Sequence, residues 1–271
     1  MAAQQHRLDA LSNNLANVNT TGYKRDTSVQ KAFPELLIRR MSDDGVKTFP
    51  FGSIDVSPVV GKVGTGVEHN ETYTVFTQGS LKQTENDFDL ALEGRGFFAI
   101  ETPQGERYTR NGSFHMTDQG MLVTKEGLPV LGENGPITIK KNNFVVDQYG
   151  RVWQNAEYAD DEDRLVSMEE NEWNDLEMVD TLKVAEFDRA RHLKKQGSSL
   201  WMATEESGAA EIAREEARPK VRQGFLETSN VNPVTEMVQM IEVNRAYEAN
   251  QRVIHTEDGM LDKLINQAVR L

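Results

Sequence analysis

Residues 232–271 read NPVTEMVQMIEVNRAYEANQRVIHTEDGMLDKLINQAVRL and contain the clearest helical pattern in the chain. Asn232 is a candidate N-cap, and Pro233 suits the first helical position. No proline follows and Gly259 is the only later glycine, which predicts one helix over 234–271, a rod of about 57 Å. Two series recur every seven residues: Met240, Tyr247, Ile254, Leu261 and Ala268, and Val243, Asn250, Glu257, Leu264 and Leu271. So narrow a stripe predicts partner helices rather than burial against a small β domain.

A second helix is predicted at the N-terminus. Its apolar positions have the 3-4-3 spacing of a coiled-coil seam: Leu8, Leu11, Leu15 and Val18. The helix should end near Asn17–Asn19, because Thr20-Thr21-Gly22 is a stop signal with a glycine for a left-handed turn. No capping residue precedes Met1, so we expect that this helix has lost its first turns.

The middle of the chain predicts β structure. From about Glu71 to Trp153, short β-branched and aromatic runs alternate with glycine turns, which is typical of a meander or small sandwich. The predicted strands are 73–76, 97–100, 137–139, 144–146, 182–187 and 199–203. Between two of them, residues 157–180 carry eleven acidic residues and one basic residue. A solvated loop is favoured there over a cation site, because the EF-hand pattern is missing.

Composition excludes several classes of function. The chain has 271 residues, no cysteine and a net charge of −13, which excludes thiol chemistry and argues against a phosphate-binding face. No apolar run approaches the roughly 20 residues of a membrane span. The five histidines are scattered, and no nucleophile elbow, phosphate loop or dinucleotide fingerprint is present. We therefore expect no enzyme activity, no cofactor, no metal site and no nucleic-acid or membrane partner.

Two seam-forming helices that bracket a β-rich middle indicate an assembly. If the helices pair with those of other copies, a head-to-tail contact that does not close generates an open helical polymer. Asn244 and Asn250 could fix the register between helices or could simply be exposed, and the pattern leaves both open. For Asn17 and Asn19, capping and exposure are favoured.

Several long motifs resemble those of bacterial flagellar rod and hook proteins. The N-terminal motif is LSNNLANVNTTGYKR at 11–25, and the C-terminal motifs are GFLE at 224–227, SNVN at 229–232, EMV at 236–238 and RAYEAN at 245–250. The central motifs are FTQGSL at 76–81, LALEGRGFF at 90–98 and YTRNGSF at 108–114. The acidic segment 157–180 departs from the family pattern. The family-motif residues that we single out are Asn13, Asn14, Asn17, Thr21, Gly22, Tyr23, Asn230, Asn232, Arg245 and Tyr247.

The resemblance implies a fold and a division of the chain. The expected class is α+β, with long N- and C-terminal helices that form a coiled-coil layer and a β-rich central domain inserted between them. The expected segments are an N-terminal assembly helix and turn (1–25), a connector (26–70), an outer β domain with the acidic loop (71–220), and a C-terminal assembly helix (221–271). The expected assembly interface consists of Leu8, Leu11, Leu15, Val18, Met240, Val243, Tyr247, Ile254, Leu261, Leu264 and Ala268.

The resemblance also implies a role. Family members are structural subunits that polymerise into the tubular rod, which carries torque from motor to hook and encloses the export channel. Expected partners are further copies of the chain, other rod proteins and hook protein, the periplasmic and outer ring proteins, and the flagellar type III export apparatus. The expected location is the periplasmic rod, reached without a cleaved signal peptide. Residues 64–67 and 76–81 resemble the distal rod type most, with the proximal rod type second and a hook-type subunit third.

Two rival classes can be tested cheaply. A coiled-coil adhesin would form discrete trimers in ultracentrifugation, because its helices pair in a closed bundle. A peptidoglycan-cleaving enzyme would give a clearing band in zymography.

Overall fold

A computed structural model describes residues 1–39, 47–54, 59–139, 144–155, 176–197, 199–212 and 218–268. These residues form two compact units. One contains the described parts of 1–12, 27–72 and 238–271, and the other those of 13–26 and 73–237. The four segments predicted from the sequence stay a prediction. No helix in the described part is both long and apolar enough to cross a membrane.

The predicted coiled-coil layer is wrong. In the described ranges the chain has two α-helices, α1 (Ala2–Ala16) and α2 (Pro233–Ala268), and only α2 is long. Helix α1 ends because the side chain of Asn17 donates to the carbonyl of Asn13, 2.9 Å away, and the chain turns away toward β1. Along α2 the large apolar side chains of its C-terminal half are exposed. A heptad stripe thus shows that a helix has an apolar seam, but it does not place a second helix there.

About half of the remaining described residues lie in strands. The first six are β1 (Asp26–Ala32), β2 (Leu36–Arg39), β3 (Lys47–Phe49), β4 (Gly52–Ile54), β5 (Val59–Val63) and β6 (Val67–Thr74). Strands β1 and β6 pair with each other, and the β2–β5 and β3–β4 pairs are antiparallel.

Fifteen further strands follow in the described part of 73–237. They are β7 (Leu81–Gln83), β8 (Leu90–Glu93), β9 (Phe97–Thr102), β10 (Gly105–Thr109), β11 (Phe114–Met116), β12 (Leu122–Thr124), β13 (Phe144–Val146), β14 (Arg151–Asn155), β15 (Leu176–Thr181), β16 (Val184–Glu186), β17 (Lys194–Gly197), β18 (Leu200–Met202), β19 (Glu211–Ile212), β20 (Lys220–Gln223) and β21 (Phe225–Glu227). The largest sheet has the order β17-β18-β10-β9-β16-β19. Of the predicted acidic loop, residues 157–175 lie outside the described residues, and the rest belongs to β15.

The predicted strands mostly correspond to observed ones. The runs at 97–100, 144–146, 182–187 and 199–203 contain or overlap β9, β13, β16 and β18. The run at 137–139 is wrong as a strand, because Thr138 makes only an isolated bridge, to Met121. Its neighbours Ile137 and Ile139 are nonetheless buried in the larger core cluster, and their backbone groups hydrogen-bond to Leu122, Val130 and Gly120.

Two clusters of buried apolar residues form the core of the second unit (the described parts of 13–26 and 73–237), which we call the β unit. The larger contains Leu90, Phe98, Phe114 and Leu182 among others, and the smaller lies around Phe97, Tyr108, Phe187 and Trp201. Alternate residues of β9 thus enter different clusters, as the period of two in a strand requires. The end of the chain joins the same unit, because β20 pairs with β8 and β21 pairs with β7.

Candidate functional site

The turn after α1 belongs to a buried group of residues that comes from the N-terminal, central and C-terminal motifs. We call this group the junction, and its main members are Asn14, Gly22, Tyr23, Lys24, Arg110, Glu227, Asn230 and Glu236. Gly22 has φ +68°, a left-handed conformation that glycine adopts without strain. Its N–H donates to the carbonyl of Glu227 at 2.8 Å. A Cβ on Gly22 would lie 2.5 Å from the backbone of Arg110 and Asn111, so the glycine permits close approach as well as the turn. The hydroxyl of neighbouring Thr21 donates to Oδ1 of Asn111 at 2.7 Å.

Asn14 is the centre of the junction on the α1 side. Its side chain is fully buried. The amide donates to the carbonyl of Asp26 and accepts from the N–H of Asp26, both at 2.9 Å, which closes the loop between α1 and β1. The same NH₂ group donates to Glu236 at 3.2 Å. Because the amide supplies both donors and an acceptor, neither aspartate nor leucine can replace all of these bonds.

Glu236 links the first turn of α2 to this loop. Its carboxylate is 1% exposed and lies 3.1 Å from a guanidinium nitrogen of Arg25. Helix α2 begins as the sequence predicts, since the side chain of Asn232 accepts from the N–H groups of Val234 and Thr235 at 3.1 and 3.4 Å. The positive end of the helix dipole also stabilises a carboxylate in the first turn.

A cluster of three buried charges forms the second half of the junction. Lys24 and Glu227 are each 1% exposed and lie 2.5 Å apart, and Arg110, 5% exposed, contacts the other Glu227 oxygen at 3.2 Å. The backbone N–H of Gly79 also donates to Glu227, at 2.8 Å. Burial lowers the pKa of both cations, and the attraction of Glu227 opposes that shift. Glu227 is therefore the shared counter-charge of two desolvated cations.

Asn230 lies between β21 and α2 and hydrogen-bonds this connection to two other segments of the chain. Its carbonyl oxygen accepts from the N–H of Arg25 at 2.8 Å. Its NH₂ group donates to the carbonyls of Val75 and Thr77, at 2.8 and 3.1 Å. One side chain thus joins the segment after α1, the segment before α2 and the chain leading into β7.

Tyr23 closes the junction on its outer side. Its hydroxyl lies 3.1 Å from Asn13 Oδ1 and 3.2 Å from Asn14 Oδ1. The ammonium of Lys195 lies 4.6 Å from the ring centroid and 2.7 Å from a carboxylate oxygen of Asp26. Burial, with the negative charges of Asp26 and Glu236, raises the pKa of the Tyr23 hydroxyl well above its usual value.

The structure brings together most of the family-motif residues. Asn13, Asn14, Asn17, Thr21, Gly22, Tyr23, Asn230 and Asn232 all belong to this junction or to the turn that leads into it. Arg245 and Tyr247 lie further along α2, where Arg245 is exposed and Tyr247 is half-buried. Asn244 and Asn250, whose role the sequence left open, are exposed.

The predicted assembly residues divide by exposure. Leu11 and Val243 are buried, whereas Leu8, Leu15, Val18, Met240 and Tyr247 are half-buried. Ile254, Leu261 and Leu264 are exposed by 43%, 56% and 63%, and Ala268 is the last residue of α2. Their role in assembly stays a prediction.

Sequence reasoning missed the charged members of the junction. Lys24, Arg110 and Glu227 stand within the quoted motifs, yet no spacing assigned them a common role. The sequence shows only that each motif carries a charged residue near glycine and aromatic residues. In the described part, no three His, Asp or Glu side chains are grouped to hold a metal ion.

Comparison with known proteins gives matches along the chain. Residues 1–24 match the profile described as flagella basal body rod protein, residues 91–154 the flagellar hook protein FlgE/F/G D1 domain, and residues 222–267 the flagellar basal body rod FlgEFG protein C-terminal region. The flagellar basal-body rod protein FlgG of Buchnera aphidicola subsp. Schizaphis graminum is 35% identical over 97% of this chain and 94% of its own length. The chain belongs to the flagellar basal-body rod protein family.

Two further relatives agree. The FlgG rod protein of Borreliella burgdorferi is 34% identical over 96% of this chain and 92% of its own length. The flagellar hook-basal body complex protein FlhO of Bacillus subtilis is 33% identical over 98% and 94%. The chain is therefore a structural, non-enzymatic subunit of the flagellar basal body that assembles with other rod and hook components.

Proposed function

We propose that this chain forms the distal part of the rod by helical polymerisation with further copies of itself. The polymer is a tubular shaft that transmits torque to the hook and encloses the export channel. The resemblance of residues 64–67 and 76–81 to the distal rod type supports this position, and so do the relatives named rod protein FlgG. A proximal rod position in the same family is the alternative.

The observation that carries the proposal is the apolar surface of α2. Over its C-terminal half, six large apolar side chains are at least 43% exposed: Val253, Ile254, Met260, Leu261, Leu264 and Ile265. Exposed apolar residues concentrated on one element are typical of an interaction site. Burying a side chain of this size contributes about 1.5–3 kcal/mol. Neighbouring subunits that cover this surface would therefore gain a large part of their association free energy from it.

The buried junction supports a role of the β unit in transmitting torque. Residues 13–26 and 225–237 are fixed to the same unit by side chains such as Asn14, Glu227 and Asn230. Pulling either segment away would leave the remaining charges buried without their partners, which is costly. A subunit that carries torque needs the segments that follow α1 and precede α2 fixed in this way.

The proposal also states how the subunits reach the rod and what surrounds the polymer. The polymer lies in the periplasm, its subunits arrive through the flagellar type III export apparatus without loss of a cleaved signal peptide, and the shaft turns inside the periplasmic and outer ring proteins. Membership of the rod family supports each of these statements. The measured mass of the subunit from purified basal bodies tests whether its N-terminus is uncleaved.

Substitution in α2 tests polymerisation. Ile254→Asp places a charge where the proposal buries an apolar side chain, at a cost of several kcal/mol per subunit. We expect secreted but unassembled protein and non-motile cells. His255→Asp introduces the same residue one position along the exposed helix and serves as the control, with normal rods expected. Normal rods from Ile254→Asp would refute the α2 interface.

Immunogold labelling of purified hook–basal bodies tests the position. Antibody against residues 71–220 should place gold on the shaft just below the hook. Gold nearer the membrane ring would favour a proximal rod subunit, and gold on the hook would favour a hook-type subunit.

A further inference from the structure

The junction joins residues from opposite ends of the chain. Lys24 contacts Glu227 across 203 positions, and Asn14 contacts Glu236 across 222. The N–H of Gly22 donates to the carbonyl of Glu227 at 2.8 Å. A chain synthesised from its N-terminus lacks these partners until most of its residues have been made. At about 5–20 residues per second, the 203 positions between Lys24 and Glu227 take about 10–40 s.

The segment 20–26 also contacts parts of the β unit that are made earlier. The ammonium of Lys24 donates to the carbonyl of Thr77 at 2.8 Å, and the N–H of Val75 donates to the carbonyl of Arg25 at 2.8 Å. In the docked segment, however, the Lys24 side chain is only 1% exposed. Of the carboxylates in the described residues, only that of Glu227 pairs with it. The earlier contacts therefore bury a cation for which they supply no counter-charge.

Arg110 brings a second positive charge to the same place. Its guanidinium lies 3.2 Å from the other oxygen of Glu227, and its positive charge opposes that of Lys24. A cation that is buried without a counter-charge is strongly unfavourable, because it has lost its hydration and gained no ion pair. A neutral hydrogen bond contributes much less than this loss. Docking of segment 20–26 without Glu227 is therefore opposed by the charge of Lys24.

We infer that Glu227 controls when segment 20–26 docks on the β unit. Until the carboxylate is in place, Lys24 stays hydrated and the segment stays undocked. Once the carboxylate is in place, the segments that follow α1 and precede α2 become fixed together. The delay follows from the buried charges alone. Its use rests on the proposed export, because a segment that stays unfolded can pass through a narrow channel.

Pulsed hydrogen exchange during refolding of the purified full chain tests the order of docking. The N–H of Val75 reports docking of segment 20–26, since it is bonded to Arg25. The N–H of Leu131 reports the β unit, and that of Thr228 reports the segment around Glu227. We expect protection of Val75 to appear with that of Thr228, at least about tenfold later than that of Leu131. Protection of Val75 together with Leu131 would overturn the inference, whatever the time of Thr228.

Substitution of Lys24 separates the effect of charge from that of sequence separation. In Lys24→Met the segment carries no cation into the site, so Val75 should become protected within about twofold of the time of Leu131. Lys195→Met is the matched control, because Lys195 also contacts this segment, at Asp26, but is 34% exposed. The delay should persist in that control. An unchanged delay in Lys24→Met, or its loss in both variants, would overturn the inference.

These measurements are independent of assembly. They use the purified chain, so the order of docking is tested whether or not the subunit polymerises, and Ile254→Asp tests polymerisation separately. The order in the unsubstituted chain also decides the inference if Lys24→Met fails to fold. A delay that is present in the unsubstituted chain and absent in Lys24→Met supports the inference, and early protection of Val75 in the unsubstituted chain overturns it.

Discussion

Lys24 and Glu227 form an ion pair 2.5 Å long between residues 203 positions apart, and both side chains are 1% exposed. The pair joins the segment after α1 to the strand that precedes α2. Arg110 shares the same carboxylate. A cluster of this kind is sensitive to the loss of one member, because the remaining charges cannot be hydrated.

Neutralising the shared carboxylate should therefore be severe. Glu227→Gln keeps the shape of the side chain but leaves Lys24 and Arg110 buried without a counter-charge. We expect the free energy of unfolding to fall by about 3–5 kcal/mol. Urea denaturation of the purified chain, followed by tryptophan fluorescence, measures the change.

Two further variants provide comparisons for the effect of Glu227→Gln on stability. Lys24→Met removes one cation and leaves Glu227 paired with Arg110 and with the N–H of Gly79, so a smaller loss of about 1–3 kcal/mol is expected. Glu93→Gln breaks an exposed pair with Arg222 and should cost less than about 1 kcal/mol. If Glu227→Gln were as mild as Glu93→Gln, the buried cluster would not stabilise the junction.

Asn14→Asp should disrupt the loop between α1 and β1. The substitution replaces the NH₂ group that donates to Asp26 and Glu236 with an oxygen, and places a second buried carboxylate about 3 Å from Glu236. We expect a loss of about 3 kcal/mol or more, measured by the same denaturation. Asn13→Asp is the matched control, because Asn13 is exposed and its side-chain oxygen acts as an acceptor from Asn17. Equal effects at the two positions would contradict the role assigned to Asn14.

Glycine substitution separates backbone strain from close packing. Gly22→Ala must place a methyl group 2.5 Å from the backbone of Arg110, whereas Gly127→Ala, at φ +80°, meets no atom within 4 Å. Both pay the left-handed strain of about 1–2 kcal/mol, so only Gly22→Ala should lose more than about 3 kcal/mol. Thermal unfolding of the two variants measures the difference. Similar thermal unfolding midpoints for the two variants would mean that the turn relaxes around the added methyl group and that Gly22 is needed only for its positive φ angle.

Local features of the fold could be predicted because their causes are local. The side chain of Asn232 caps α2 as expected, since capping depends on residues within one helical turn. Gly22 adopts the left-handed turn that its place after α1 suggests. The run at 97–100 could be predicted as a strand because a short apolar run bounded by glycines is visible within a few residues, and all four of its residues are buried.

Long-range pairing could not be predicted in the same way. No periodicity connects Lys24 to Glu227 or Asn14 to Glu236, so the candidate junction was visible only as motifs without roles. The coiled-coil expectation failed for a related reason. The spacing of Ile254 and Leu261 describes one helix face, and it carries no information about what covers that face.

Hydrogen exchange should show that the two halves of α2 differ before assembly. Val243 is 2% exposed, whereas every residue described from Gln251 to Asn266 is exposed, so the C-terminal half has few contacts to resist local opening. In the unassembled chain, we expect amides of 254–265 to exchange at least about 100-fold faster than those of 240–246. In purified basal bodies the same amides should become protected, because neighbouring subunits bury Ile254 and Leu261. Uniform protection of α2 in the free chain would contradict local opening, and unchanged exchange in the basal body would contradict burial by a neighbour.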